Sequence, residues 1–261
     1  VEIYLILFLV GIISGFAAGL FGIGGGVILV PIFNYFFSMK GIPEEIGFKL
    51  SVATSLSVIT VSTLFTSGLH IFKGKVEFGR VLRILPYIFS GILLGVLFSH
   101  LVSGSFLKRF FGVFLLLLSF KILTEKKGVL RFNLKESVLF PFTSLLSAFL
   151  SALLGIGGGV VVNTLMFSFS EMEVRTVVAF ASVLSFINAF LGTLLYLLVP
   201  AERVLSYQVG YIYLPAALFV SIGGLIGSRL GVRILHTVEQ KLLKRLFGVL
   251  LFLIGLRMLM K

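Results

Sequence analysis

The chain of 261 residues contains no cysteine, no tryptophan and no aspartate, and charged residues of any kind make up only 12% of it. Without cysteine there is no disulfide, no thiolate metal site and no thiol chemistry. The ten acidic residues are all glutamate, each in a loop or at the end of an apolar run. The carboxylate relay of many proton- or cation-coupled pumps therefore has no candidate within a span. His70, His100 and His236 also fall at segment ends, without ligand spacing, and read as interfacial. With no nucleophile, metal set or paired carboxylates inside a span, the sequence gives no reason to expect an enzyme, a cofactor or a bound metal.

What fills the chain instead is apolar: 58% of residues are hydrophobic and the mean hydropathy is +1.16. Runs of roughly 17–24 apolar residues recur along it, each long enough to cross a hydrocarbon core. A multi-pass membrane protein follows, and its leading run reads as a structural span and not as a signal peptide. The net charge of +12 comes from Lys and Arg in short loops between spans. Membrane orientation and attraction to anionic lipid explain it better than nucleic acid does.

The chain repeats itself. Shifted by 133 residues, SGFAAGLFGIGGGVILVP at Ser14–Pro31 overlies SAFLSALLGIGGGVVVNT at Ser147–Thr164 with nine identities in eighteen positions. Further on, VATSLSV at Val52–Val58 falls over AFASVLS at Ala179–Ser185, and LKRFFGV at Leu107–Val113 over LKRLFGV at Leu243–Val249. Residues 1–130 and 131–261 thus read as two related halves of five apolar segments each. The segments lie near 3–21, 27–38, 50–70, 84–102 and 106–122, then 137–154, 160–170, 176–199, 210–228 and 241–260. The second of each five is too short to span unaided. If each short segment returns to the side from which its predecessor came, the halves are inverted, with fifteen basic residues on one side and seven on the other. A parallel arrangement divides them nearly evenly, so the positive-inside rule favours inversion with both termini outside. The expected fold is an all-α membrane protein of two inverted repeats, whose short second segments each follow a glycine-rich helix break.

Each short segment follows the sequence GIGGG, at Gly22–Gly26 and Gly155–Gly159. Three consecutive glycines exceed what helix packing needs, and inverted repeats with interrupted helices are a transporter pattern. Helices beginning at Val27 and Val160 would aim free N–H groups and about half a positive charge at the centre, which suits an anion. No GxGxxG or Lys-Ser/Thr tail supports a nucleotide loop. Gly11, Gly15 and Gly19, Gly91 and Gly95, and Gly223, Gly227 and Gly231 read instead as helix-packing positions. The segment SVATSLSVITVSTLFTS (Ser51–Ser67) carries nine hydroxyls, and its counterpart offers Ser182, Ser185 and Asn188, with Asn163 after the second cluster. Such groups can bind oxyanions without carrying charge into the membrane, although they also serve as interhelical glue or bond to their own helix. Lys108 and Arg109, with Lys244 and Arg245, read as interfacial anchors that could also draw anions toward pore mouths.

GLFGIGGGVILVP at Gly19–Pro31, LLGIGGGVVVNT at Leu153–Thr164 and ATSL at Ala53–Leu56 resemble the sulfite exporter TauE/SafE family, and the order of segments agrees over almost the whole chain. The resemblance implies a multi-pass carrier in the cell inner membrane that exports a small sulfur-containing anion, such as sulfite or an organosulfonate, with protons as the coupling ion. It implies a site at Gly22, Gly24, Gly25 and Gly26 with Thr54 and Ser55, and at Gly155, Gly157, Gly158 and Gly159 with Ser182; the residue reading adds Asn163. The second half departs from the pattern, reading Phe180-Ala181-Ser182 where the first reads Ala53-Thr54-Ser55, and Thr164 where the first has Pro31. The rivals are a passive anion channel and, from another class, a membrane-embedded enzyme or assembly factor.

Overall fold

Apolar runs punctuated by glycine and by short charged loops become ten helices in the computed structural model, which describes residues 2–21, 25–72, 76–124, 135–235 and 240–260. The first five are α1 (Glu2–Phe21), α2 (Gly26–Met39), α3 (Glu44–Phe72), α4 (Phe78–Leu101) and α5 (Gly104–Thr124). The second five are α6 (Glu136–Leu154), α7 (Gly159–Phe169), α8 (Val174–Leu198), α9 (Leu214–Leu235) and α10 (Gln240–Leu259). Five of them, α3, α4, α6, α8 and α9, contain stretches long and apolar enough to cross a membrane, judged by length and composition among the described residues. The short segments are short in the fold as well. With 14 residues in α2 and 11 in α7, they extend only about 21 and 17 Å at 1.5 Å per residue.

Several segment bounds need correction: α4 begins at Phe78 and not near residue 84, and α9 runs on to Leu235 and not 228. The segment expected from residue 210 starts as a helix only at Leu214, because Gln208–Val209 (β1) and Ile212–Tyr213 (β2) form an antiparallel hairpin that pairs Gln208 with Tyr213. Buried Gln208 organises this loop: its Oε1 accepts from Val204 and Leu205 N–H, and its Nε2 donates to the Glu202 and Gly210 carbonyls. The third segment, in turn, begins at Glu44 and not near residue 50, because both glutamates of its first turn have partners. Glu44 meets the Lys108 ammonium at 2.7 Å, and Glu45 accepts the Gly104 N–H at 2.6 Å and the Ser105 hydroxyl at 3.1 Å at the start of α5. Lys108 is only 7% exposed. It ties α5 to α3, and the reading of it as a free anion attractor falls.

The most extensive helix pairings among the described residues are unchanged when the first five helices are exchanged for the last five, whereas those of α6 with α7 and α8 and of α3 with α5 have no counterpart of similar extent. α1 lies along α9 and α6 along α4, while α3 pairs with α8 and α5 with α10. Small residues permit these approaches, since association in lipid depends on close backbone contact. A Cβ on Gly15 would overlap the backbone of Gly224, and one on Gly227 the backbone of Ile12 and Phe16. Gly91 and Gly95 lie against α6 at Leu145, Ala148, Phe149 and Ala152. The glycine pairs set apart as packing positions therefore lie at helix crossings.

Two cations, on α5 and α10, hold the short helices. The Lys121 ammonium of α5 donates to the Thr164 carbonyl at 3.3 Å and the Ser168 hydroxyl at 2.8 Å, toward the C-terminal end of α7, where positive charge is favoured. The Arg257 guanidinium of α10 stands 4.8 Å over the ring of Tyr35 on α2. Arg257 corresponds to Lys121 in the repeat, and Tyr35 to Ser168.

Candidate functional site

Both helix breaks take the same backbone form. Gly25 precedes α2 with φ 76° and ψ −15°, and Gly158 precedes α7 with φ 82° and ψ −12°; neither helix has a side-chain cap. This left-handed conformation is costly for residues with a Cβ and accessible to glycine, which accounts for the residue type at both positions. Gly155 and Gly157 are left-handed as well, at φ 66° and 72°. Gly25 and Gly158 pack alike, near the backbone carbonyls of Ser14 and Ser147, which are equivalent positions of the repeat. Gly22 and Gly24 lie outside the described residues.

The breaks touch. A Cβ on Gly26 would overlap the Gly155 carbonyl oxygen and stand 2.7 Å from Ile156 Cα, so the first turn of α2 rests directly on the second break. Ile59 of α3 fills the crevice, close to both Gly26 and Gly157. Residues 25–30 and 151–162 are buried without exception. The Ile28 N–H bonds to the Gly25 carbonyl at 3.0 Å, which leaves the first two N–H groups of α2 and the first three of α7 without a helical partner, and both positive helix ends lie in the buried interior.

The predicted hydroxyls divide by role. Ser55 donates to the Gly155 carbonyl at 2.8 Å, satisfying an acceptor freed by the second break. Thr54, fully buried, accepts the Tyr213 N–H at 3.1 Å and so anchors the hairpin to α3. Tyr213 lies between Phe36 and Phe37 of α2, with both ring centroids 6.0 Å away. Burial, with a smaller contribution from Tyr4, raises its phenol above the ordinary value and keeps it neutral. The rest of the α3 load is largely turned inward: Ser51, Ser57, Thr60, Ser62, Thr63 and Ser67 all donate to carbonyls of their own helix. Ser182 is half-buried on α8, and Asn163 on α7 holds a buried Oδ1 without a hydrogen-bond partner. Thr54→Val is expected to lower thermal stability by about 1–3 kcal/mol, because the Tyr213 N–H is left buried without an acceptor. A thermal unfolding curve that matches the unsubstituted protein would contradict this anchoring role.

A separate cavity of about 730 Å³ opens between α1, α3 and α9, bordered by Tyr4, Val61, Tyr207, Leu218 and Phe219. Its walls suit an apolar group and not an anion. The serine hydroxyls beside it are committed, Ser57 to the Thr54 carbonyl and Ser221 to the Ala217 carbonyl.

Apolar spans surrounding two interrupted short helices define a multi-pass α-helical membrane protein, and comparison with known sequences specifies the class. The chain belongs to the sulfite exporter TauE/SafE family, whose description matches residues 7–258. It is 30% identical to a probable membrane transporter protein of Methanocaldococcus jannaschii over 98% of this chain and 95% of the relative. It is 27% identical to another of Haemophilus influenzae, over 98% of each chain, and 23% identical to the probable membrane transporter protein YunE of Bacillus subtilis over 97% and 96%. No solved structure matches. The protein is a membrane transporter and not an enzyme.

Proposed function

We propose that the chain is a secondary carrier, an exporter in the cytoplasmic membrane, for a small sulfur oxyanion or organosulfonate bound where the two glycine breaks oppose each other. The observation that carries this reading is the equal left-handed capping of α2 and α7 by Gly25 and Gly158, with Gly26 seated on the second break. Two uncapped helix N-termini supply N–H donors and positive potential, an arrangement that favours anions. Gly22 and Gly24 take the places of Gly155 and Gly157 in the first half. The sulfur substrate, the outward direction and protons as coupling ion follow from the family likeness.

Residues 1–130 and 131–261 form two inverted halves in this account. The exchange-invariant helix pairing and the fifteen-to-seven distribution of basic residues support them. Since the contact between the breaks is buried, alternate access requires one half to rock against the other around Ile59 and Gly26. Counterflow of ³⁵S-sulfite in proteoliposomes tests the carrier. Saturable uptake that is accelerated by unlabelled sulfite inside is expected. Uptake that is neither saturable nor trans-stimulated, with single-channel currents, would identify a passive anion channel and overturn the proposal.

A further inference from the structure

Most hydroxyls of the spans are already committed; among the described residues the buried hydroxyls without partners are Thr143, Ser144 and Ser151, all on α6, the helix that leads into the second break. Ser144 and Ser151 of α6 are fully buried, and neither hydroxyl has a hydrogen-bond partner. They lie one turn on either side of Ser147, whose carbonyl rests against Gly158. From α8, the Ser185 hydroxyl, 3% exposed, reaches the first residue of α7, Gly159. Asn188, fully buried, sits against Gly158. Its Oδ1 has no partner, and its Nδ2 makes only two long contacts of 3.4 Å, to the Ser147 Oγ and the Gly157 carbonyl. Buried polar groups without partners are rare, because each forfeits the hydrogen bonds it makes in water. An unexplained cluster of them beside an uncapped helix N-terminus calls for a ligand.

The equivalent positions around the first break are apolar. Ser144 corresponds to Gly11, Ser151 to Ala18, Ser185 to Val58 and Asn188 to Val61. We infer that the oxyanion head of the substrate is bound asymmetrically, on the second break, by Asn188, Ser185 and Ser151 together with the first-turn N–H groups of α7; Ser144, about 10 Å further along α6, lies beyond the reach of the same head. This rests on the anion-carrier reading and assigns its substrate contacts. Hydroxyls and the amide N–H donate to the anionic oxygens, and the Asn188 carbonyl accepts from an O–H of the ligand or from a water that accompanies it. Charge selection comes from the helix end, while these neutral side chains select a compact oxyanion.

Titration calorimetry with sodium sulfite and sodium methanesulfonate on the purified full chain tests the assignment, with Asn188→Leu, Ser185→Ala and Ser151→Ala compared with the unsubstituted protein. Each variant is expected to weaken anion binding about tenfold or more, the effect of one hydrogen bond to a charged ligand. Ser185→Thr is expected to retain binding. The melting temperature of Ser151→Ala without anion is expected to hold or rise, since it removes a buried hydroxyl without a partner; a purely structural role would lower it. Equal affinity in Ser185→Ala and Ser151→Ala overturns the assignment and leaves the cluster to water, even if Asn188→Leu does not fold. Absence of binding to the unsubstituted protein overturns the anion-carrier reading itself.

Discussion

Gly158→Leu is expected to abolish anion transport while the protein still inserts in the membrane. Gly158 holds φ 82°, a conformation that costs an L-residue about 1–2 kcal/mol. Its first added atom would lie 2.9 Å from the Ser147 carbonyl oxygen and overlap the reach of the Asn188 amide. The remaining side chain must then occupy the space before the N-terminus of α7, where the anion is proposed to bind. Gly41 separates the two causes. It is also left-handed, at φ 74°, but nothing lies within 4 Å of a Cβ there. Gly41→Ala is therefore expected to bear the backbone strain alone and keep transport. Uptake by proteoliposomes of matched protein content checks both, and normal uptake by Gly158→Leu would reduce the second break to a packing element.

Gly15→Leu is expected to have a different and larger effect, the loss of folded protein. The two backbones approach so closely here that a Cβ on Gly15 would overlap Gly224, and one on Gly223 would overlap Phe8. No side chain can yield, because the obstruction is main chain. Overpacking of a close-packed site costs about 1–3 kcal/mol even where side chains can shift, and here α1 must separate from α9 along its length. Gly68 of α3 is the control, with nothing within 4 Å of a Cβ; Gly68→Ala is expected to leave stability unchanged or slightly raised. The yield of monodisperse protein after detergent extraction reads the difference. A normal yield and melting temperature for Gly15→Leu would contradict the packing assigned to α1 and α9.

Much of this was legible in the sequence because it depends on local chemistry. Apolar length sets the spans, and consecutive glycine sets the left-handed caps, so the starts of α2 and α7 fell within a residue of expectation at Val27 and Val160. Four-residue glycine spacing marked the helix crossings for the same reason. What escaped depends on partners distant in the chain. Glu44 and Lys108 are separated by α4, and only the fold shows that they meet. The hydroxyls of α3 drew attention by number, yet most bond to their own helix, an outcome that residue type does not distinguish from ligand binding. Thr54 and Ser55 are engaged with Tyr213 and Gly155, 159 and 100 residues away. Ser144 and Ser151 carried a weaker signal, three serines at helical spacing in SLLSAFLS, which gains meaning only once α8 places Asn188 and Ser185 beside the same break.

The most direct test is to locate the anion itself. Selenite is a heavy analogue of sulfite, and an anomalous difference map of crystals grown with it would place the selenium atom. The account predicts one dominant peak between the N-termini of α2 and α7, within hydrogen-bonding reach of the first turn of α7. A dominant peak elsewhere, such as beside Tyr4 and Phe219 in the cavity against α9, with none between the breaks, would contradict it.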